Sequence, residues 1–284
     1  MPLAHIRCVV DRSEETPAGC VACAEALTAP KGRRCQFTAS ILRGMYDSSG
    51  RADAGVSATS LTGCPRQTVL QALYPYTADP ERLWPAFRGT LGHDLVQRHP
   101  DPGCTVEVRY RRRYGPKPGE WLTGQMDEVD PRMRLVRDYK TGSKPPDPDD
   151  VRLGGFKESW VWQLNLYRWI LAAGERMDTG GSVRLDVTRL GIVYLHADAV
   201  FKYTVPVLPL PEIEAFVLKT APTIQYALDR KRDYDGIEDA HGRELAMDSV
   251  PWPEPAYNPQ RDKICVDWCP SRDRCLTRPA VSSR

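Results

Sequence analysis

No apolar run in this chain of 284 residues approaches the ~20 residues that a helix needs to cross a bilayer; the longest are of the size of Leu190 to Leu195. Met1 to Val10 has no apolar h-region of the secretory kind, so membrane spanning and classical secretion are both disfavoured. An excess of one charge is missing too. Thirty-nine Lys and Arg face 37 Asp and Glu, a net +2, so no global field advertises a polyanionic partner and any nucleic-acid surface must be local. There is no internal repeat. There is no G-x4-G-K-[ST] loop, so an ATP motor would have to be a separate chain, and no H-x-E paired with P-C-x2-C, the signature of a zinc deaminase.

What is present bounds the rest. A composition 41% hydrophobic and 27% charged reads as a globular protein able to bury a core, one large domain or one domain plus an appendage. Nine cysteines is an odd number, and two groups of them have ligand-like spacing. Metal binding therefore explains them better than a disulfide framework, and a reducing cytoplasm is the expected compartment.

Residues 1–56 differ from the remainder: four cysteines, many small residues and a Gly/Ser/Asp-rich exit, Asp47 to Gly55. They read as a Cys-rich appendage and linker, leaving 57–284 as the main domain. Ser60 is a candidate N-cap for a helix over Leu61 to Leu73, and a second helix runs through Leu83, Phe87, Leu91, Leu95 and Val96. Strand-like segments follow at Thr105 to Tyr114, Trp121 to Val129 and Met133 to Tyr139, separated by Gly115-Pro116-Lys117-Pro118-Gly119 and by Asp130-Pro131. That spacing predicts an antiparallel meander. A Pro/Asp-rich loop leads to a long helix at Trp160 to Ala173, strands at Thr188 to His196 and Phe201 to Val205, and a last helix at Pro211 to Arg232. The order indicates an α/β fold with a small mixed central sheet flanked by helices.

The chemistry concentrates in Gly124-Gln125-Met126-Asp127 and Asp138-Tyr139-Lys140-Thr141-Gly142. On a strand Asp138 and Lys140 share one face, with Arg137 and Tyr139 on the other. A hairpin can bring Asp127 beside Asp138. Two carboxylates suit a hard divalent cation such as Mg²⁺ or Mn²⁺, and an adjacent ammonium can orient a water or stabilise charge on a phosphate. An isolated D-x-K more often means solvated side chains. Here three features weigh against that: the apolar strand Leu135 to Tyr139, the one-turn spacing of Gln163 and Tyr167, and a helical Gly89-Thr90-Leu91-Gly92-His93 upstream. A packing role for the helix is also written in the stripe Trp162, Leu166, Trp169 and Ile170.

The ordered set Gly89/His93, Gly124-x-x-Asp127, Asp138-Tyr139-Lys140-Thr141-Gly142 and Gln163-x3-Tyr167 resembles the PD-(D/E)XK nuclease superfamily, in particular its RecB-like branch, over residues 57–280. Each motif alone is weak; four in order are specific. The resemblance implies a restriction-endonuclease-like core in which His93, Asp127, Asp138 and the Tyr139 carbonyl bind the metal. It further implies that Lys140 positions or activates the attacking water, and that Gln163 and Tyr167 brace the lysine or the DNA backbone.

Cys265-x3-Cys269-Pro270-x4-Cys275, with Cys64 far upstream, can make a four-thiolate site, and spacing alone does not separate zinc from a four-iron cluster. The resemblance tilts the choice: one cysteine before the nuclease core and three after it look like the 4Fe-4S staple of AddB-type and CRISPR-associated RecB-like exonucleases. Those usually have two residues between the first two C-terminal cysteines, whereas this chain has three. Cys8-x11-Cys20-x2-Cys23-x11-Cys35, with His5 nearby, suits a small zinc site as well as a loose extension with free thiols. Cys104 reads as a small core residue. Arg109, Arg111, Arg112, Arg113 and Lys117 form a basic run that serves equally as a solvated face or a phosphate clamp, and Glu107 on the same strand is an outlying candidate carboxylate.

The resulting expectation is a cytoplasmic, metal-dependent DNA exonuclease with an iron–sulfur cluster, in a bacterial or phage-infected cell. It would act on single-stranded DNA or free ends in recombination, repair or phage DNA processing, alongside a separate helicase or recombination protein. The competing expectation is a degenerate nuclease fold that grips DNA without cutting it.

Overall fold

The computed structural model describes residues 3–26, 30–49, 55–74, 76–142, 145–146 and 157–235. In chain order the elements begin with β1 (His5–Arg7), β2 (Glu14–Glu15), α1 (Pro17–Glu25), α2 (Pro30–Arg34), α3 (Ala39–Ser49), β3 (Val56–Ser57), α4 (Ala58–Thr62) and α5 (Pro65–Leu73). Next come β4 (Thr77–Ala78), α6 (Pro80–Arg98), β5 (Thr105–Arg113), β6 (Trp121–Asp130) and β7 (Leu135–Thr141). The last are α7 (Glu158–Ala172), β8 (Gly174–Arg176), β9 (Ser182–Val183), β10 (Arg189–Leu195), β11 (Val200–Val205) and α8 (Leu210–Asp235). The chain divides into two compact units. Of the described residues, one unit takes those within 1–53, 66–90 and 227–235, and the other those within 55–65 and 91–226. No helix among the described residues is long and apolar enough to cross a membrane.

In the first unit β1 lies between β2, antiparallel, and β4, parallel. Thr16 starts α1 by accepting the Gly19 N–H at 3.0 Å, with Pro17 at the first helical position, where its missing N–H costs nothing. Two small apolar clusters result, Leu3/Ile6/Ala78 and Ala24/Leu42/Met45, and Cys20, Tyr46 and Leu83 pack against both.

The second unit is a mixed sheet of eight strands among the described residues, ordered β11-β10-β7-β6-β5-β8-β9, with β3 also paired to β6. Strands β5, β6 and β7 form the expected antiparallel meander. Strand β10 then runs parallel to β7, with Ile192 opposite Asp138, so the chain must cross over, and α7 lies within that crossover. Strand β7 therefore has a neighbour on both sides, which explains why Val136 is fully buried. Helix α7 packs Leu164, Leu166, Trp169 and Ile170 inward. A Cβ at Gly124 would stand 2.9 Å from Tyr167 Cε1 and 3.1 Å from Ile170 Cδ1, so glycine is what lets α7 lie so close on β6.

Three local expectations change. The helix start is Ser57, not Ser60: Ser57 Oγ accepts the Ser60 N–H at 3.1 Å while Ser60 Oγ accepts the Ser57 N–H at 2.9 Å, a reciprocal cap. Gly63 ends α4 and Pro65 opens α5, so the single expected helix is two. Met133 is exposed in a turn held by Asp130 Oδ1, which accepts the N–H groups of Arg132 and Met133.

Candidate metal centre

Strands β6 and β7 pair with Glu128 opposite Arg137, and one residue further along each strand Asp127 and Asp138 turn to the other face. Both are buried, and Asp127 Oδ2 accepts the backbone N–H of Tyr139 at 2.6 Å, tying the two strands at the site. Strand β5 adds Glu107, which falls across from Asp127 because Val106 pairs with Glu128 and Val108 with Met126. Glu107 has φ 53°, a left-handed conformation that costs a non-glycine residue on the order of 1–3 kcal/mol and that tends to persist where function demands it. Helix α6 supplies His93, whose Nδ1 stands 3.0 Å from Glu107 Oε1 and 3.3 Å from Asp127 Oδ1. The preceding Gly92 permits the approach, since a Cβ there would meet Thr141 Cγ2 at 3.1 Å.

Lys140 is on the same face as Asp138, as period-2 alternation requires. Its Nζ lies 2.8 Å from Asp138 Oδ2 and donates to Gln163 Oε1 at 3.0 Å. Gln163 Nε2 in turn is 2.7 Å from Tyr167 Oη and 3.3 Å from Asp138 Oδ1. One amide on α7 thus holds the lysine, the aspartate and the tyrosine together.

The electrostatics are unbalanced. Asp127 and then Glu107 hold the His93 imidazolium up to about 10. Burial, with the Asp127 charge adding, pushes the Asp138 carboxyl up to about 6 against the pull of Lys140. Burial and then the Asp138 charge raise the Tyr167 hydroxyl well above its ordinary value. Three carboxylates converge on one ammonium and one imidazole. Ligand atoms of His93, Glu107 and Asp127 lie within 4.8 Å of one another, and buried Asp138 Oδ2 takes the ion pair with Lys140 without a well-formed hydrogen bond. Oxygen-rich donors with surplus negative charge fit a hard divalent cation.

Sequence reasoning undervalued Glu107. Its signal lay in register, a carboxylate opposite Asp127, and in Gln125, which donates to Glu107 Oε2 at 2.5 Å while accepting from Arg109 at 3.0 Å. Arg111 and Arg112 are engaged within the unit, whereas Arg113 is exposed. Arg111 pairs with Glu175 at 2.5 Å and lies over Trp121, Arg112 lies over Trp169 at 3.8 Å and donates to its carbonyl, and Arg113 also lies over Trp121. Lys117 is exposed in the turn before β6. Cys104 is not a core residue: it is half-buried, and its thiol interacts with Glu128 and Asp130. Cys64 follows the end of α4, whereas Cys265, Cys269 and Cys275 lie outside the described residues. Cys8, Cys20, Cys23 and Cys35 all fall in the first unit.

A family model described as the PD-(D/E)XK nuclease superfamily matches residues 90–276. No curated protein matches the chain. Among solved structures, SSO0001 aligns with a TM-score of 0.43 at 15% identity, covering 63% of this chain and 82% of that one. A phage-related exonuclease from Haemophilus somnus 129PT aligns with a TM-score of 0.41 at 13% identity, covering 64% of this chain and 96% of that one.

Proposed function

The chain belongs to the PD-(D/E)XK nuclease superfamily, and on that premise we propose that it hydrolyses DNA phosphodiester bonds with the help of Mg²⁺ or Mn²⁺. The observation that carries the reading is the convergence of Glu107, Asp127 and Asp138 with Lys140 held 2.8 Å from Asp138 and 3.0 Å from Gln163. His93, Asp127, Asp138 and the Tyr139 carbonyl would hold the cation, with Glu107 at the same cluster. A bound cation supplies charge neutralisation for the phosphate and lowers the pKa of water. The chain's own groups do the remainder. His93 would serve as a ligand in its neutral form, Lys140 orients the attacking water and meets charge growing on the phosphate, and Gln163 with Tyr167 keeps the ammonium aimed.

The finer reading is an exonuclease of the RecB-like branch. It works on single strands or free ends in recombination, repair or phage DNA processing, in the cytoplasm and beside a separate helicase or recombination protein. Cys64 with Cys265, Cys269 and Cys275 would carry a 4Fe-4S staple, with zinc the alternative occupant. Residues 1–56 would form an appendage to a nuclease domain at 57–284. Arg113 and Lys117 are the proposed phosphate contacts of the basic run. A degenerate DNA-gripping fold is disfavoured because the carboxylates and Lys140 are present together.

The test is digestion of end-labelled single- and double-stranded DNA, with and without blocked ends, in Mg²⁺ or Mn²⁺. Lys140→Ala should lose about 10²–10⁴-fold in turnover with DNA affinity nearly unchanged, since one phosphate contact among many is a small part of binding. No cation-dependent cleavage by the wild-type chain would refute the proposal, and cutting that ignores blocked ends would make it an endonuclease.

A further inference from the structure

The nuclease centre leaves a second group of ligand-type side chains unexplained. Cys8 follows β1, Cys20 and Cys23 lie one turn apart on α1, and Cys35 follows α2. All four line a single cavity of about 30 Å³, walled also by Glu15, Lys31 and Pro80. We propose that these four cysteines bind one structural zinc ion that staples the first unit.

The local structure delivers each thiol. The Cys8 N–H donates to the Ser13 carbonyl at 2.8 Å, and Arg12, at φ 63°, donates back to the Cys8 carbonyl at 2.9 Å, so a tight turn presents Cys8 at the end of the β1–β2 hairpin. Spacing of i and i+3 puts Cys20 and Cys23 on one face of α1. The Cys35 N–H closes on the Lys31 carbonyl at 3.0 Å, fixing the end of α2. All four are free thiols and half-buried.

Two neighbours suit a metal-bound thiolate. Tyr46 Oη is 3.1 Å from Cys20 Sγ and can donate to it, the kind of outer hydrogen bond that orients a metal ligand. Lys31 brings a single ammonium to the wall, shared with Asp11 at 2.8 Å and Glu15 at 3.4 Å. The need is physical as well. Cys20 sits where the two small apolar clusters meet, and cores of that size fold with the help of a staple.

Four thiolates, two of them from a C-x2-C pair on one helix face, are the ligand set of a structural zinc site, and the iron readout of the experiment below distinguishes a cluster. The groups of potential ligands within 4.8 Å of one another do not include this quartet. At Zn–S distances of about 2.3 Å the ion would therefore draw the Cys8 turn and the Cys35 end inward. Binding should then tighten the segment from Cys8 to Cys35.

The experiment uses the full chain, purified without added metal, and reads zinc and iron by mass spectrometry. Carrying Cys64→Ser and Cys265→Ser, which remove the other four-cysteine set, the protein should still hold one zinc per chain. Adding Cys20→Ser or Cys35→Ser should drop that zinc to background, and chelation should speed proteolysis between residues 8 and 35. Zinc unchanged by the Cys20 and Cys35 substitutions, or iron lost with them, overturns the proposal. Should those variants fail to fold, X-ray absorption at the zinc edge of the Cys64→Ser/Cys265→Ser protein decides: four sulfur neighbours support the site, and nitrogen or oxygen neighbours overturn it. None of these readouts depends on nuclease activity.

Discussion

On one face of strands β6 and β7 the buried Glu128 meets the Arg137 guanidinium and the Tyr139 hydroxyl, the latter at 2.5 Å. On the other face, Asp127 and Asp138 crowd Glu107 and share Lys140 and His93. The strands are the same and the burial is similar. What differs is pairing: Glu128 has the Arg137 guanidinium, which it shares with Asp101 at 3.3 Å, and the Tyr139 hydroxyl, whereas the opposite face sets three carboxylates against one ammonium and one imidazole. A buried acid with its own partner is a structural device, while unbalanced buried acids are worth their desolvation only where a ligand completes them.

The largest effect expected from this contrast is at Asp138. Asp138→Asn should cut cation-dependent cleavage on the order of a thousandfold or more, because a charged ligand to the metal is lost. Glu128→Gln should leave the rate per folded molecule near wild type. Stability should separate the pair in the opposite sense. Asp138 binds its proton more tightly folded than unfolded, since its carboxyl is pushed up to about 6. The stability it contributes is therefore present at low pH and is lost as pH rises from the ordinary carboxylate range through about 6. Denaturant titrations in chelator should show that fall for the wild type and a flatter profile for Asp138→Asn. Equal cleavage by wild type and Asp138→Asn would break the contrast at its root.

A smaller effect, on folding alone, is expected at Arg137. Its side chain is 26% exposed and it faces a Glu128 that is 2% exposed. Arg137→Ala strands that carboxylate and should cost about 3–5 kcal/mol in denaturant unfolding. Cleavage by the molecules that remain folded should persist, because the site is on the other side of the strands. Lost activity at full stability would show that the two faces communicate through β7.

Much of this was legible beforehand, for reasons that particular residues make plain. Period-2 alternation was enough to put Asp138 with Lys140 and Arg137 with Tyr139, and the turn chemistry of Asp130-Pro131 fixed the hairpin that brings Asp127 alongside. Glu107 was harder, since its place depends on the register of β5 against β6 and on a left-handed backbone that no propensity favours. Ser60 was misread because Ser57 and Ser60 are both good caps, and only the reciprocal geometry shows which comes first. The short β8–β9 pairing, outside any hydrophobic pattern, exists because β5 offers an edge to it. Arg112 shows the limit for charge runs: the guanidinium that reads as a phosphate clamp lies over Trp169, a residue 57 positions away in sequence.

The smallest expected effect uses Cys104 as a reporter of which face is which. Its thiol is pushed up to about 12 by burial and then by the carboxylates of Glu128 and Asp130. Alkylation depends on the thiolate, so at pH 8 Cys104 should react roughly a hundredfold or more slowly than free cysteine, despite being partly exposed. Glu128→Gln removes one of the opposing charges and should raise that rate several-fold, whereas Asp127→Asn, one residue earlier on the same strand, should leave it unchanged. Quantifying the Cys104 peptide by mass spectrometry after timed alkylation separates it from the other cysteines. A rate that responds equally to both substitutions would mean that the negative charge of the cleavage face reaches through the sheet, and that the two faces do not form separate electrostatic environments.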